Sequence, residues 1–350
     1  MDAIGNYLRK KSGHLLLTGL NASARYLILS RLSADRPMLL VMDSQDEAQY
    51  AFADLQTLGA NVLYFPTSRR RRQGVDEAMQ IQRTEVLTYL DRNPEENWLV
   101  VTYPEALAES APDTLTLRRS TVVVKQGDKI AQTTLSNMLI ELGFERVDFV
   151  YQPGQYAVRG GIMDVYSYSH DDPYRLDFFG DEIDSLRTFD IETQLSKERV
   201  ETAALNGVND AEETNATLVD YLPKNTVWGS NDFAVVQFKV ESLEFRDKQT
   251  IEIGAKSFFP TFDKIAFDIL PQPIFHKNFE LLVEDLHERL SRGYRVYILA
   301  DQKKQTDRLQ AIFEDIAAND NSEPVRFTPI DKTLHAGNQK QAQLHCSRDN

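Results

Sequence analysis

The sequence is poor in cysteine and has no long apolar run. Its 350 residues include a single cysteine, Cys346, so an internal disulfide is excluded, as is usual for a protein kept in a reducing compartment. The longest apolar runs are short, such as Leu39–Met42, whereas a membrane span needs roughly 20 apolar residues. Lys10 and Lys11 are followed only by the short apolar run 15–17, too little for the core of a signal peptide. We therefore expect a cytoplasmic protein without a membrane partner.

Positive charge is also scarce. The chain has 39 Lys and Arg against 53 Asp and Glu, a formal charge of −14. This balance argues against binding nucleic acid over the whole surface, although a local basic patch is compatible with it. The hydrophobic fraction of 42% excludes a mostly disordered chain, and the length suggests two to three domains.

Signals for catalytic chemistry are weak. The sequence contains no G-x-S-x-G motif, which marks one common class of serine nucleophile. The six histidines show no spacing typical of metal ligands; they are His14, His170, His276, His287, His335 and His345. No catalytic residue and no metal site are predicted.

The first hundred residues alternate between short apolar runs and amphipathic stretches. The apolar runs 15–19, 38–42, 62–65 and 98–101 predict buried strands, and the segments between them predict helices. Ser44 and Glu47 have the spacing of a helix capping box. Such an alternation predicts a parallel sheet covered by helices on both faces.

The loop after the first strand is the place where such a sheet would bind phosphate. On the pattern G-x-x-x-x-G-K-[ST], Gly19 fits, but Ala24 replaces the second glycine, Arg25 the lysine and Tyr26 the magnesium-binding hydroxyl. The favoured interpretation is a degenerate phosphate loop that no longer hydrolyses nucleotide. A weakened anion site at the helix N-terminus and Arg25 is the alternative.

The densest basic run is the four arginines Arg69, Arg70, Arg71 and Arg72. No aromatic residues are interleaved with them to stack on bases. Because the run lies between Pro66 and Gly74, a mobile, solvated loop is the first interpretation, and a weak nucleic-acid contact is the second.

From residue 121 the pattern changes to alternating strands. In the segment 174–179 a period of two points Tyr174, Leu176 and Phe178 towards a core. The same period points Arg175 and Phe179 outward, and an upstream strand points Arg159 outward. Exposed Phe and Arg are typical of a protein-binding surface. From alternation alone, packing of Phe179 within the chain and pairing of the arginines with nearby acids is modestly favoured instead.

Two stretches of this second unit carry a family resemblance. The sequence from Gln152 to Val165 (QPGQYAVRGGIMDV) and that from Tyr174 to Asp190 (YRLDFFGDEIDSLRTFD) resemble signatures of bacterial transcription-repair-coupling factors. These factors share the module with the excision-repair protein UvrB. The segments 16–21 and 82–87 resemble the first domain of the same family. The resemblance covers roughly residues 14–206.

The resemblance implies a UvrB-like module in which the second domain binds UvrA through two arginines and one phenylalanine. Their spacing matches Arg159, Arg175 and Phe179, and this makes the binding interpretation the preferred one. Residues 121–201 contain 8 basic and 15 acidic residues, net −7, which makes a general DNA-binding role for this unit unattractive.

The same resemblance implies that the ATP-driven translocase motor, with its ATP and magnesium, and the RNA-polymerase-binding domain lie outside this chain. RNA polymerase and double-stranded DNA are then partners of the full-length protein. UvrB has an intact phosphate loop and a long aromatic hairpin, whereas the interval 65–82 here is too short for that hairpin. A non-catalytic module that recruits UvrA is therefore the predicted function, and a nucleotide-dependent DNA helicase fragment is the alternative.

The predicted architecture is α/β: a degenerate phosphate-loop-type parallel sheet domain, interrupted by an inserted α+β domain with an antiparallel sheet, then the start of a further α/β domain. The predicted segments are 1–120, 121–206 for the UvrA-binding insertion, 207–272 for the return to the first domain, and 273–350. Residues 258–273 contain three prolines and predict a loop, and the polar stretch after 337 predicts a tail of uncertain origin.

Overall fold

The computed structural model describes residues 4, 7–10, 12–70, 74–75, 77–207, 216–245, 247–276, 278–335 and 338–339. Within these ranges the chain forms two large sheets with their helices and a smaller third unit. The helices are α1 (Ala24–Ser33), α2 (Gln45–Thr57), α3 (Glu77–Arg92), α4 (Pro104–Ala108), α5 (Thr114–Arg119), α6 (Gln132–Glu141), α7 (Phe233–Lys239), α8 (Phe279–Ser291) and α9 (Lys303–Asp320).

The first sheet has seven parallel strands in the order β17-β1-β16-β15-β2-β6-β3. The strands are β1 (Gly13–Thr18), β2 (Met38–Val41), β3 (Val62–Tyr64), β6 (Leu99–Thr102), β15 (Val227–Ser230), β16 (Gln249–Ile253) and β17 (Asp263–Ala266). Strands β2, β6, β15 and β16 are buried along their whole length, as expected when both faces of a parallel sheet are covered.

Two sequence expectations for this unit have clear outcomes. Ser44 caps α2 as predicted, because its side chain accepts a hydrogen bond from the Glu47 N–H. The loop predicted over 258–273 was wrong in part, since Asp263–Ala266 forms strand β17 beside β1. This strand lies at the sheet edge and is mostly exposed, so it lacks the apolar run by which the buried strands were found.

The second sheet is formed by consecutive strands between the two parts of the first. Its order is β13-β12-β11-β10-β9-β8, with antiparallel pairing except between β8 and β9. The strands are β8 (Glu145–Arg146), β9 (Gln155–Arg159), β10 (Ile162–Tyr166), β11 (Tyr174–Phe179), β12 (Glu182–Phe189) and β13 (Ser196–Arg199). Helix α6 and the antiparallel pair β7 (Thr121–Lys125) and β14 (Thr202–Asn206) cover its inner face.

The inner core confirms the predicted alternation. Tyr156, Tyr174 and Leu176 are buried in it, and Phe178 packs against it. Because successive residues of a strand point to opposite faces, Arg175 and Phe179 lie on the outer face. The core of this unit therefore fixes the orientation of the candidate site.

Smaller elements complete the described chain. Two short parallel strands, β19 (Tyr297–Leu299) and β20 (Thr328–Ile330), pack with α8 and α9 around a core that contains Val283 and Phe313. Two short antiparallel pairs are β4 (Arg69–Arg70) with β5 (Gly74–Val75), and β18 (Leu270–Pro271) with β21 (Asn338–Gln339). The mixed α/β class with a parallel sheet and a separate antiparallel sheet is confirmed, and the predicted segment boundaries stay predictions.

Candidate functional site on the second sheet

The outer face of the second sheet brings the two predicted arginines to one acidic side chain. Asp164 on β10 lies directly opposite Arg175 on β11, and the adjacent strand β9 ends at Arg159. Arg175 binds the carboxylate with two nitrogens, Nε to Oδ1 at 2.6 Å and Nη2 to Oδ2 at 2.9 Å. Arg159 donates from Nη2 to the same Oδ2. Asp164 is 1% exposed, so both guanidinium groups lie above a buried charge.

Each arginine also has a second set of contacts that fixes its direction. Arg159 donates from Nη1 to the carbonyl oxygen of Asp148 at 3.0 Å, and its guanidinium lies 4.6 Å from the ring centre of Phe149. These contacts tie the end of β9 to the loop between β8 and β9.

Arg175 is held on its other side by the turn between β12 and β13. It donates to Gln194 Oε1 at 3.0 Å, and its guanidinium lies 4.0 Å from the ring centre of Phe189. Its side chain is 12% exposed. The hydrogen bonds to Asp164 raise the pKa of Arg175 above its ordinary value, so the group stays charged.

Phe179 stands at the end of β11 and is 83% exposed. The Phe178 N–H donates to the carbonyl of Gly161 at 2.7 Å, which joins the β11 end to the turn between β9 and β10. Arg159 and Phe179 therefore lie at the same end of the sheet, on either side of this turn. Phe149, 60% exposed, flanks Arg159 from the neighbouring loop. A large exposed ring beside guanidinium groups is suited to protein binding.

A second ion pair lies on the same face. Arg187 on β12 donates to the Asp177 carboxylate on β11, and Ser185 donates to it at 2.5 Å. Burial acts to raise the pKa of Asp177, but the hydrogen bonds from Arg187 and Ser185 lower it below its ordinary value. Asp177 is therefore ionised at neutral pH and neutralises Arg187.

The predicted degenerate phosphate loop is placed in the first unit, after β1. Gly19 has φ +71°, and a Cβ at this position would stand 1.8 Å from the Phe267 carbonyl oxygen. Ala24 and Tyr26 are buried, and Arg25 donates from Nη1 to Asn231 Oδ1 at 3.1 Å. The backbone of residues 267–269 lies across this loop, with the Phe267 N–H donating to Thr18 O at 2.8 Å.

Acidic groups surround the same loop. Burial and the carboxylates of Glu47 and Asp232 raise the pKa of Asp43, which follows β2. Asn231 donates to Glu47 Oε2 at 3.4 Å, so Arg25 is connected to this acidic group through Asn231.

The arginine run 69–72 is only partly described. Arg69 and Arg70 form β4 and pair with β5, so the run begins in a short strand with a backbone partner, and the predicted mobility and solvation stay predictions. Arg71 and Arg72 lie outside the described residues. The nucleic-acid contact stays a prediction.

The described residues contain no metal-binding cluster and no membrane-spanning helix. No group of three or more His, Cys, Asp and Glu in this part of the chain is arranged to hold a metal ion. Across the same residues, no helix combines the length and apolarity needed to cross a bilayer.

The second unit matches a known protein family. Residues 122–210 match the family described as UvrB interaction domain, which covers the whole candidate site.

The chain is also similar to whole proteins named transcription-repair-coupling factor. It is 30% identical to that of Bacillus subtilis over 218 residues, 60% of this chain and 18% of that protein. It is 43% identical to that of Escherichia coli over 84 residues, 24% of this chain and 7% of that protein. For Mycobacterium tuberculosis the identity is 31% over 185 residues, 50% of this chain and 15% of that protein. The predicted resemblance is confirmed, and the chain spans less than a fifth of each of these relatives.

Sequence reasoning missed several residues that the structure places at the site. Asp164, Phe149 and Gln194 contact the predicted arginines. The strand alternation contained a signal for Asp164, since it places this residue on the same face as Arg175. The positions of Phe149 and Gln194 in loops gave no such periodicity.

Proposed function

We propose that this chain recruits UvrA to stalled RNA polymerase through the outer face of the second sheet. Phe179 would enter an apolar pocket of UvrA, and Arg159 and Arg175 would donate charge-assisted hydrogen bonds to acidic groups around it. The observation that carries the proposal is the 83% exposed Phe179 at the sheet end that also presents Arg159. The match of this unit to the UvrB interaction domain supports it.

The energetics are adequate for a specific contact. Burying a Phe side chain contributes about 1.5–3 kcal/mol. A guanidinium has five N–H donors, more than the contacts of Arg159 to Asp148 and Asp164 use. Residues 121–201 carry a net charge of −7, so a positive patch within them differs from the surrounding surface. Such a patch is suited to one acidic partner surface.

A calorimetric titration of the chain with purified UvrA from Escherichia coli tests the proposal. We expect the wild-type chain to bind and Phe179→Ala to bind at least tenfold more weakly, because truncating a central aromatic anchor typically costs 2 kcal/mol or more. Phe238→Ala is the matched control, since Phe238 on α7 is also 83% exposed but belongs to the first unit. Equal affinities of the two variants would remove Phe179 from the site.

The remaining activities belong, in this proposal, to the full-length protein. The ATP-driven motor, its magnesium and the contacts with RNA polymerase and double-stranded DNA lie outside the 350 residues. The chain itself needs no cofactor, and it works beside these partners in the bacterial cytoplasm.

We further propose that the loop after β1 is a phosphate loop that has lost its function. The backbone of Phe267–Ile269 lies over it, Tyr26 is packed in the core, and Arg25 is directed to Asn231. No small hydroxyl stands at position 26 to bind magnesium.

An ATPase assay with and without DNA tests this second proposal and the helicase alternative together. We expect no hydrolysis above the buffer rate and no heat when ATP and magnesium are titrated into the chain. DNA-stimulated hydrolysis that is lost in Arg25→Ala would overturn the proposal and favour the helicase fragment.

A further inference from the structure

Asp164 is buried beneath the candidate site, so its carboxylate is not accessible to a partner protein. Its side chain is 1% exposed, yet it accepts hydrogen bonds from both arginines of the site. The register explains this arrangement: Asp164 lies on the strand between them, opposite Arg175 and two residue pairs along from the Arg159–Ile162 pair, on the same face.

The charges of this group do not cancel. Two guanidinium groups share one carboxylate, so the three side chains carry one net positive charge. A buried carboxylate is costly unless it is paired and hydrogen-bonded, and here Arg159 and Arg175 provide that pairing. Asp164 also restricts the rotation of both arginine side chains before a partner arrives. Less conformational entropy is therefore lost when the partner binds.

We propose that Asp164 is a positioning residue: it holds both guanidinium groups in the arrangement that UvrA recognises, without contacting UvrA. The inference rests on the proposed function for its consequence in binding, and on the contacts of Asp164 for the positioning itself.

A role of the site through positive charge alone and a positioning role of Asp164 predict opposite effects of Asp164→Asn on the affinity for UvrA. If the face acted only through its positive charge, removing a carboxylate beneath it would strengthen binding to an acidic partner. If Asp164 positions the arginines, the same change weakens binding, because the amide has one acceptor oxygen and no charge to hold two guanidinium groups. The sign of the change in affinity therefore separates the two.

The titration with UvrA gives the first measurement. We expect about tenfold weaker binding for Asp164→Asn, because both guanidinium groups lose the carboxylate that orients them. Asp164→Glu keeps the charge but displaces it by one methylene, so about threefold weaker binding is expected, a partial recovery. Tighter binding of the Asn variant together with unchanged binding of the Glu variant would overturn the inference.

Asp177→Asn is the matched control, since Asp177 is paired with Arg187 on the same face. It should change the affinity less than twofold. In the background Arg159→Ala/Arg175→Ala, Asp164→Asn should have no further effect, because the groups through which it acts are absent. An additive loss in that background would mean a general structural role and would overturn the inference.

A second measurement does not depend on UvrA. The guanidinium N–H groups that donate to Asp164, which are Nε–H and Nη2–H of Arg175 and Nη2–H of Arg159, should give slowly exchanging NMR signals in the wild-type chain, assigned with the corresponding Lys variants. These signals should be lost in Asp164→Asn, or shifted in Asp164→Glu if the Asn variant does not fold. If the wild-type chain fails to bind UvrA, the proposed function is wrong, and this measurement alone decides the positioning role. Unchanged arginine signals in both variants would overturn it.

Discussion

Two almost fully buried carboxylates, Asp54 in the first unit and Asp164 in the second, have opposite consequences for the surface. Asp54 on α2 accepts a hydrogen bond from Ser23 Oγ at 2.5 Å and contacts His335 Nδ1 at 2.7 Å. It thus joins the loop before α1 to a distant part of the same chain. Asp164 instead holds two arginines beside the exposed Phe179. Two acids that are buried to the same extent therefore join two segments of the chain in one region and hold two arginines at the sheet face in the other.

The ends of the two sheets show the same difference. In the first sheet, residues 267–269 cross the loop that follows β1, and Arg25 is directed to Asn231. At the corresponding end of the second sheet, Lys129 forms a bridge to Glu182 and Gln132 donates to the Gly160 carbonyl, but the Phe179 side chain is 83% exposed. The loop after β1 is thus covered by the chain itself, whereas an apolar side chain is exposed at the end of the second sheet.

The largest expected effect is that of a substitution in the loop after β1, which residues 267–269 cover. Gly19→Ala places a Cβ 1.8 Å from the Phe267 carbonyl oxygen, in a backbone conformation with φ +71° that favours glycine. We expect a loss of roughly 3 kcal/mol in the free energy of unfolding, measured by urea denaturation.

Gly59→Ala is the control for this change. Gly59 also has a positive φ, +78°, but a Cβ there meets nothing within 4 Å. It should cost about 1 kcal/mol, the conformational term alone. Equal losses for the two variants would show that the close approach over the loop does not contribute to stability.

A smaller effect is expected for Phe149, which lies at the edge of the candidate site beside Arg159. Phe149 is 60% exposed and lies beneath the Arg159 guanidinium at 4.6 Å from its ring centre. Phe149→Ala should weaken UvrA binding about fivefold, near 1 kcal/mol, by removing apolar contact and a cation–π partner of Arg159. Phe238→Ala is again the control, and titration the measurement. Affinity within twofold of wild type would place Phe149 outside the contact.

The smallest effect concerns Glu85 on α3, near His170 and Asp171 of the second unit. Burial, with a further contribution from Asp171 against an opposing one from His170, raises the pKa of Glu85 above its ordinary value of 4.5. A raised carboxyl pKa means that the folded state binds the proton more tightly. The stability that Glu85 contributes is then complete below 4.5 and is lost as the pH rises through the folded-state value.

Glu85→Gln removes this pH-dependent loss. The stability of the variant should increase relative to that of the wild type as the pH is raised from 4 towards neutral, as measured by urea unfolding across pH. Glu95→Gln, at an exposed position of a turn, is the control for replacing a carboxyl by an amide. A wild-type profile retained in Glu85→Gln would contradict the assignment.

Period-two alternation was enough to predict the orientation of the candidate site. It placed Arg175 and Phe179 outward because Tyr174 and Leu176 had to enter a core, and the structure buries both of them. The parallel sheet was predictable for the same kind of reason, since its central strands are continuous apolar runs.

The parts that could not be predicted depend on pairing between distant residues. Asp164 is buried only because the strand register sets it opposite Arg175 and next to the end of β9, and a single strand cannot show this. Strand β17 was missed because an exposed edge strand needs no apolar run. The closure over Gly19 joins residues about 250 positions apart in the chain, beyond any local pattern.

Amide hydrogen exchange on the full chain, with and without UvrA, tests most directly that the second sheet provides the contact. The account predicts protection by UvrA in the turns 159–162 and 179–182, at the end of the sheet that carries Arg159 and Phe179. Residues 19–26 of the first unit should exchange at the same rate in both samples. Protection of residues 19–26 with unchanged exchange in the two turns would contradict the account.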